Sequence, residues 1–191
     1  MDALDSTTLL RRAREGSREA LEELYTRCAG KLLSLIRLRM GKHLRAQLES
    51  RDILQATMLR SYERLSQFEG GSTDSLMAWL ARIAQNEVRD RVDHQQRQRR
   101  DATLDVPLDG LSQELAATVR SALSRVVWDE QAEQLERALE ALDEPKRELV
   151  VMRKLEELSF KQIGERLNKS EDACRMAFAR AMTALTLKAN G

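Results

Sequence analysis

The sequence predicts an all-α protein built from two small helical domains, an N-terminal helical bundle and a C-terminal helix-turn-helix domain, joined by an acidic linker. The 191 residues include only two prolines and eight glycines, and runs of β-branched residues are few, so helix breakers and strand formers are scarce. Apolar residues recur at spacings of three and four, as on the buried face of an amphipathic helix.

The distribution of charge along the chain predicts the domain boundaries. The formal net charge is +1, but residues 1–100 carry +5, residues 101–144 carry −8 and residues 145–191 carry +4. The helical pattern also weakens from Asp101 to about Asp129, so we expect domains over 1–100 and 130–191 with an acidic linker over 101–129. A basic block can meet phosphate, although ordinary surface charge on helical bundles has the same composition.

The N-terminal domain begins with two predicted helices. Asp5 and Ser6 precede an apolar-periodic segment and predict the start of a short first helix, which Gly16 ends. Ser17 is then a suitable cap for a second helix with a stripe that faces a core. The members of this stripe are Leu21, Leu24, Tyr25, Cys28, Leu32, Leu35 and Ile36.

Two further helices complete the predicted N-terminal domain. A third runs from about Ser50 to Ser66, and a fourth begins near Asp74 or Ser75, after a loop with two adjacent glycines. The apolar side of the third helix consists of Ile53, Leu54, Met58, Tyr62 and Leu65. That of the fourth consists of Leu76, Trp79, Leu80, Ile83, Ala84 and Val88. Beyond Val88 the fourth helix becomes arginine-rich, so its end is either solvated or faces a ligand.

The linker and the C-terminal domain follow. Pro107, Asp109 and Gly110 are turn residues, while Leu111 to Trp128 permit a helix, with Trp128 expected to pack on the second domain. The C-terminal domain then shows a series of short helical segments. They are a helix with Leu135, Leu139 and Leu142, one from Pro145 to about Glu157 with Leu149, Val150 and Met152, a short one from Phe160 to Leu167, and a last one from Glu171 to about Lys188.

Residues 159–180 have the spacing of a helix-turn-helix. Gly164 supplies the small residue needed where the two helices cross, and Asn168 tolerates a left-handed turn. In this motif the second helix enters the major groove of DNA. The residues expected to face outward are Lys169, Ser170, Glu171, Asp172, Arg175, Met176 and Arg180. A plain helical hairpin is the alternative, and Lys169 stands where such turns usually bury an aliphatic side chain, which favours a more open turn.

Two other constellations lie in the N-terminal domain. On the third helix, Asp52, Gln55 and Arg60 are candidates for a polar face. On the fourth helix, Asn86 is a poor helix former at a mid-helix position, which indicates that the residue is kept for a contact it makes and not for helix propensity. Arg89 lies on the same face. Solvated surface residues have the same pattern in both cases.

The three constellations in this order resemble the RNA polymerase sigma factors of the small, two-domain extracytoplasmic-function type. The third helix resembles the family pattern at Asp52, Gln55, Met58, Ser61 and Tyr62. The fourth matches the pattern Trp-Leu-x-x-Ile-Ala-x-Asn-x-x-x-Asp at Trp79, Leu80, Ile83, Ala84, Asn86 and Asp90, and the last helix ends with Arg180, Ala181 and Leu185. The resemblance covers residues 6–100 and 130–188.

The resemblance implies a sigma factor that binds core RNA polymerase and directs promoter recognition, DNA melting and transcription initiation. By this resemblance, the face that binds core polymerase comprises Asp52, Gln55 and Arg60. The residues expected at the −10 promoter element are Phe68, Gly70, Ser72, Asn86, Arg89, Arg97, Arg99 and Arg100. Those expected at the −35 element are Lys169, Ser170, Arg175, Met176 and Arg180. The acidic linker would thread the RNA exit path, and an anti-sigma factor is a further expected partner.

Other functional classes are less consistent with the sequence. The two histidines, His43 and His94, are far from any metal-ligand spacing, and no phosphate loop or nucleophile motif is present, so we expect no enzyme, cofactor or metal. No segment has the apolar length of a membrane helix and no secretory signal is evident, which predicts a cytoplasmic protein. A helix-turn-helix repressor or activator that binds duplex DNA alone remains the alternative, but it leaves the arginine-rich block after Trp79 unexplained.

Overall fold

The computed structural model describes residues 5–70, 73–98, 113–125 and 130–189. Within these ranges every regular element is a helix, which confirms the all-α prediction. The α-helices are α1 (Ser6–Arg14), α2 (Arg18–Arg45), α3 (Ser50–Glu63), α4 (Thr73–Gln98), α5 (Gln113–Ser124), α6 (Glu130–Glu140), α7 (Glu144–Val150), α8 (Phe160–Leu167) and α9 (Glu171–Ala189).

Helix α2 lies at the centre of the N-terminal bundle, where it contacts α1, α3 and α4. Its predicted apolar stripe is buried, and each member from Leu21 to Ile36 is at most 2% exposed. The one phenol in the stripe is also satisfied, because the Tyr25 hydroxyl lies 3.0 Å from the Met58 carbonyl oxygen and 2.7 Å from Ser61 Oγ. A buried polar group that keeps its hydrogen bonds costs little.

The ends of α1 and α2 follow from local sequence. Asp5 occupies the N-cap position of α1 without a side-chain hydrogen bond, whereas Ser17 Oγ accepts a hydrogen bond from the Ala20 amide at 3.3 Å. Gly16 adopts a positive φ of 94° between the two helices. Gly41, with φ 63° and ψ 171°, interrupts α2 near its C-terminal end. Glycine suits both positions because it lacks the Cβ that opposes such angles.

Two residues assigned to apolar stripes are exposed, so that part of the prediction is wrong. Tyr62 is 43% exposed because its neighbour Ser61 takes the inward position beside the Tyr25 hydroxyl. Leu135 is 45% exposed because Glu136, one residue and about 100° further round α6, turns inward to pair with arginines of α2. In both cases a polar residue, Ser61 or Glu136, is buried at the position where the hydrophobic pattern predicts its apolar neighbour.

Part of the predicted linker packs on the N-terminal bundle. Helix α5 contacts α2 and α3, and Val119 and Ala122 are completely buried within the same core. Ser121 Oγ and the Arg125 guanidinium both donate hydrogen bonds to Glu22 on α2, at 2.8 and 2.7 Å. Trp128, expected to pack on the second domain, lies outside the described residues.

The C-terminal domain comprises α6 to α9. Asp143 caps α7 by accepting a hydrogen bond from the Lys146 amide at 3.0 Å, and Pro145 lies in the first turn, where its missing N–H costs nothing. Leu139, Leu142, Ala181 and Leu185 form one buried cluster. The predicted helix from Pro145 changes at Val151 into a π-helical turn, Val151–Leu155, and Glu157 then has a φ of 59°.

Candidate nucleic-acid and polymerase interface

The helix-turn-helix forms from α8, a tight turn and α9. Ser159 and Gln162 make a reciprocal capping box at the start of α8, with distances of 3.2 and 2.8 Å. Asn168 adopts the left-handed conformation, with φ 54° and ψ 49°. Gly164 lies so close to the turn that a Cβ there would be 2.5 Å from the Lys169 carbonyl oxygen. These features confirm the sequence-based prediction of the motif, including its glycine. The more open turn expected from Lys169 is not formed, because the Lys169 amide donates a hydrogen bond to the Gly164 carbonyl oxygen at 2.9 Å.

The turn before α9 and the outward face of α9 carry the residues predicted to meet DNA. All of the predicted set are exposed, and Met176 is 64% exposed; they are Lys169, Ser170, Arg175, Met176 and Arg180. Ser170 Oγ also caps α9, since it accepts a hydrogen bond from the Ala173 amide at 3.2 Å. The Arg175 guanidinium is held by Glu171 at 2.7 Å and lies 5.1 Å from the centre of the Phe160 ring. Arg175 must leave these partners, or reorient among them, to contact a base.

Helix α4 presents a second exposed polar face. Arg82, Asn86 and Arg89 are all exposed on it, at the spacing of successive helical turns. Arg97 lies in the last turn of α4. Ser72, Arg99 and Arg100 lie outside the described residues.

The loop before α4 is tethered by an aromatic cluster. Phe68 is only 7% exposed, and its ring centre lies 5.0 Å from that of Trp79. The Arg14 guanidinium covers the ring at 5.1 Å and donates a hydrogen bond to the Gly70 carbonyl oxygen at 3.2 Å. A Cβ on Gly70 would lie 2.3 Å from Phe68 Cζ. Phe68 therefore holds the loop from inside in this conformation and does not offer its ring to a base.

Sequence reasoning missed Arg14. It lies on α1, 56 residues before Gly70, and its local pattern is that of an ordinary basic residue near a helix C-terminus. No spacing rule connects it to the loop.

The three candidates for core binding on α3 separate into two groups. Asp52 is exposed in the first turn and Gln55 is half-buried. Arg60 instead extends to α4, with ion-pair distances of 2.7 Å to Glu87 and 3.2 Å to Asp90. Burial raises the pKa of Glu87 above its ordinary value, although Arg60 opposes the shift. Arg60 thus fastens α3 to α4.

Metal ligands and reactive thiols are scarce among the described residues. They contain no group of three or more His, Cys, Asp or Glu side chains arranged to hold a metal ion. Cys28 and Cys174 are buried, and burial raises the pKa of Cys28 to about 12, so its reactive thiolate is scarce at neutral pH. Among the described helices, none combines the length and apolarity required to cross a membrane.

The solved structures that resemble the chain include two complexes. One is the structure of CnrH in complex with the cytosolic domain of CnrY, with a TM-score of 0.49, 21% identity and coverage of 95% of each chain. The other is the RsbN-BldN complex, with a TM-score of 0.36, 23% identity and coverage of 93% of this chain and 96% of that one.

Family comparisons match both halves of the chain. The model of Sigma-70 region 2 matches residues 24–98, and that of Sigma-70, region 4 matches residues 132–185. The RNA polymerase sigma factor CarQ of Myxococcus xanthus is 30% identical over 168 residues, which cover 87% of each protein. The chain therefore belongs to the sigma-70 family of RNA polymerase sigma factors.

Proposed function

We propose that this sigma factor binds its partners through three exposed faces. Helix α3 binds core RNA polymerase, α4 and its preceding loop bind the −10 element, and α9 binds the −35 element. The observation that carries the proposal is the complete helix-turn-helix, whose second helix exposes Arg175, Met176 and Arg180. The protein supplies binding and positioning, and no bond-making chemistry. The sigma-70 family is not a family of enzymes.

The −35 contacts would come from α9. Arginine binds guanine edges or phosphates with paired hydrogen bonds. Arg175, which pairs with Glu171 and Phe160 in the free protein, lies at the start of α9, which is the end that enters the major groove in this motif.

The −10 contacts would come from α4 and the loop. Asn86 and Arg89 provide amide and guanidinium groups on one exposed face, and a base taken out of a stack needs such partners and a pocket. Because Phe68 is buried, we assign it the role of holding the Gly70 backbone in place, and Ser72 remains a proposed contact. Arg97, Arg99 and Arg100 would bind phosphates and make the affinity salt-dependent.

The core-binding face would centre on Asp52 and Gln55, with Arg60 supporting it through α4. Residues 1–100, 101–129 and 130–191 remain our proposed division of the chain, in which α5 lies against the first part. The linker would follow the RNA exit path of the polymerase. We further propose a cytoplasmic location and an anti-sigma factor as a partner.

Transcription with purified core polymerase tests the −35 assignment. Run-off transcription from fragments upstream of the chain's own gene should require the protein. Arg175→Ala should lower promoter affinity of the holoenzyme by roughly tenfold or more, because one base or phosphate contact is lost, and core binding should persist. Arg137→Ala is the matched control, since Arg137 also forms an exposed i,i+4 pair in the C-terminal domain, with Glu133. Equal transcription by the two variants would remove Arg175 from the DNA contacts.

A second experiment tests the core-binding face. Asp52→Arg should weaken binding to core polymerase while its melting temperature stays near that of the wild type, because Asp52 is exposed. Glu63→Arg makes the same charge change at the exposed far end of α3 and should bind core normally. If Asp52→Arg keeps its core affinity, the docking face lies elsewhere. Tight, promoter-specific binding of duplex DNA by the chain alone would support the repressor alternative.

A further inference from the structure

Met176 lies at the centre of the outward side of α9. Its side chain is 64% exposed, whereas Phe178, two residues later, is half-buried. The inward side of the helix is defined by Cys174, Ala181 and Leu185, which are all buried. At the helical rotation of about 100° per residue, Met176 points about 160° away from Cys174 and about 180° away from Leu185. A long apolar side chain is therefore aimed directly away from the core of the domain.

A second methionine on the same helix shows the contrast. Met182 is half-buried and packs against the apolar cluster that contains Leu139 and Leu185. Among the residues that the structure describes, Met176 belongs to none of the three apolar clusters. Single exposed apolar residues are common on protein surfaces, so a role for Met176 depends on its surroundings and on the place of α9 in the fold.

The surroundings of Met176 combine small apolar side chains with charges. Ala173 and Ala179, each three residues from Met176 along the chain, are exposed on either side of it. Asp172 lies one turn before Met176 and Arg180 one turn after it, and both are exposed. The face therefore has an apolar centre, made of one thioether and two methyl groups, with a charge at each end.

The charges around this apolar centre favour a nucleic acid as its partner. Lys169, Arg175 and Arg180 are all exposed, and such side chains bind the phosphates on either side of a groove. Asp172 has the opposite sign, but a carboxylate in the groove accepts a hydrogen bond from the amino group of cytosine. The match to region 4 of the sigma-70 family also includes this face.

The major groove offers one methyl group to an apolar side chain. The base edges present hydrogen-bond donors and acceptors there, and the only methyl group among them is the C5-methyl of thymine. A thioether placed against a donor or an acceptor removes water from that group and supplies no strong hydrogen bond in return. Against the thymine methyl, the same thioether buries apolar surface on both molecules and leaves no polar group unpaired.

We propose that Met176 is a specificity-determining residue, which contacts the C5-methyl group of a thymine in the −35 element. The inference rests on the proposed function, since it requires α9 to lie in the major groove of that element. Met176 is the sixth residue of α9, close to the end of the helix that contacts base edges in this motif. Its unbranched, flexible side chain adapts to the shape of the groove. The contact favours thymine at one position of the element.

Replacement of thymine by deoxyuridine tests the contact, because it removes the methyl group and keeps the hydrogen-bonding groups of the base. Footprinting of the holoenzyme on a promoter upstream of the chain's own gene locates the −35 element. Each thymine of either strand in the element is then replaced in turn, and competition binding gives the affinity of the holoenzyme. For the wild type, we expect one position at which deoxyuridine lowers the affinity by about fourfold, the value of one buried methyl group.

The Met176 variants link this position to the side chain. Met176→Ala should bind the thymine and deoxyuridine promoters equally, because the partner of the methyl group is gone. Met176→Leu should keep most of the preference, since leucine retains an apolar side chain of similar size. All variants should melt near the temperature of the wild type, because the substituted side chains are exposed.

Leu187→Ala is the matched control for the loss of an exposed apolar side chain. Leu187 is 73% exposed on the same side of α9, but it lies about 16 Å further along the helix than Met176. It is therefore far from the end of the helix that contacts base edges. Leu187→Ala should distinguish thymine from deoxyuridine as the wild type does.

The outcomes separate this contact from the proposed function and from other partners of α9. The methyl contact is overturned, and the proposed function stands, if no thymine of a bound −35 element responds to deoxyuridine or if Met176→Ala keeps the full response. Weaker binding of Met176→Ala to core polymerase, with an unchanged response to deoxyuridine, would place Met176 against the enzyme and would also overturn the contact. If binding by the wild-type holoenzyme does not depend on the −35 sequence, the proposed function fails together with this inference.

Discussion

At the scale of single residues, the loop before α4 depends on a side chain from a distant helix. Arg14 contributes both a hydrogen bond to the Gly70 carbonyl and a cation–π contact with Phe68. Since the loop backbone has no place in a regular helix, such contacts decide its conformation. This makes Arg14 a positioning residue for the proposed −10 site rather than a DNA contact.

Arg14→Ala should therefore weaken binding of a single-stranded −10 oligonucleotide to the holoenzyme several-fold. The loss of stability should be small, about 1 kcal/mol, because the residue is exposed and its contacts are single. Arg11→Ala, one helical turn earlier and paired with Glu15, is the matched control. Fluorescence anisotropy with the labelled oligonucleotide gives both affinities. Identical values for the two variants would show that Arg14 does not position the loop.

Glu87 provides a prediction about pH. Its pKa is raised from 4.5, chiefly by burial, so the folded state binds this proton more tightly than the unfolded state. The free energy of unfolding should then fall as the pH rises from about 4.5 through the raised pKa. Glu87→Gln should remove this part of the pH dependence, whereas Glu63→Gln, at an exposed site, should keep it. Urea denaturation at a series of pH values measures the slopes, and parallel curves for both variants would contradict the assignment.

At the scale of elements, the helices followed from sequence with few errors. The boundaries of α8 agree with the prediction because Ser159 and Asn168 mark its ends by local hydrogen bonding and backbone preference. The helix after Pro145 was predicted to reach about Glu157, but its last turns are π-helical. Periodicity cannot detect this inserted residue, because the change is stabilised by contacts with the other domain.

A glycine substitution at Gly164 tests the close packing of the helix-turn-helix, and one at Gly30 in α2 is its control. Gly164→Ala should destabilise the C-terminal domain by about 1–3 kcal/mol, because the new Cβ would meet the Lys169 carbonyl at 2.5 Å. Gly30→Ala should instead stabilise the protein by about 0.5–1 kcal/mol, since no atom lies within 4 Å of its Cβ position within α2. Thermal or urea unfolding distinguishes them. A neutral Gly164→Ala would mean that the two helices cross less closely than described.

At the scale of the whole molecule, α5 shows that part of the predicted acidic linker packs into the N-terminal bundle. The sequence between the domains is acidic, yet α5 contributes Val119 and Ala122 to the N-terminal core. Its apolar face is short and poorly periodic in sequence, which is why the prediction extended no further than a linker with some helix. Helix α5 is stabilised by its contacts with α2 and α3.

Val119→Asp should destabilise the N-terminal domain by at least about 2 kcal/mol, since it buries a carboxylate among apolar side chains. Ala117→Asp introduces the same residue on the exposed side of α5 and should change stability by less than about 0.5 kcal/mol. Urea denaturation followed by tryptophan fluorescence reports the difference. If both variants unfold alike, α5 does not belong to the bundle core.

The sequence by itself determined the all-α class, the helix-turn-helix and the family, because these depend on caps, turn residues and apolar spacing within one or two helices. It also identified the exposed faces of α4 and α9. Tertiary structure alone decided which polar residues pair with each other inside the molecule. Arg14 binds Gly70, which is 56 residues away, and Arg39 binds Glu156, which is 117 residues away. Ion pairs have no periodicity, so their partners are set by how the helices and domains pack together.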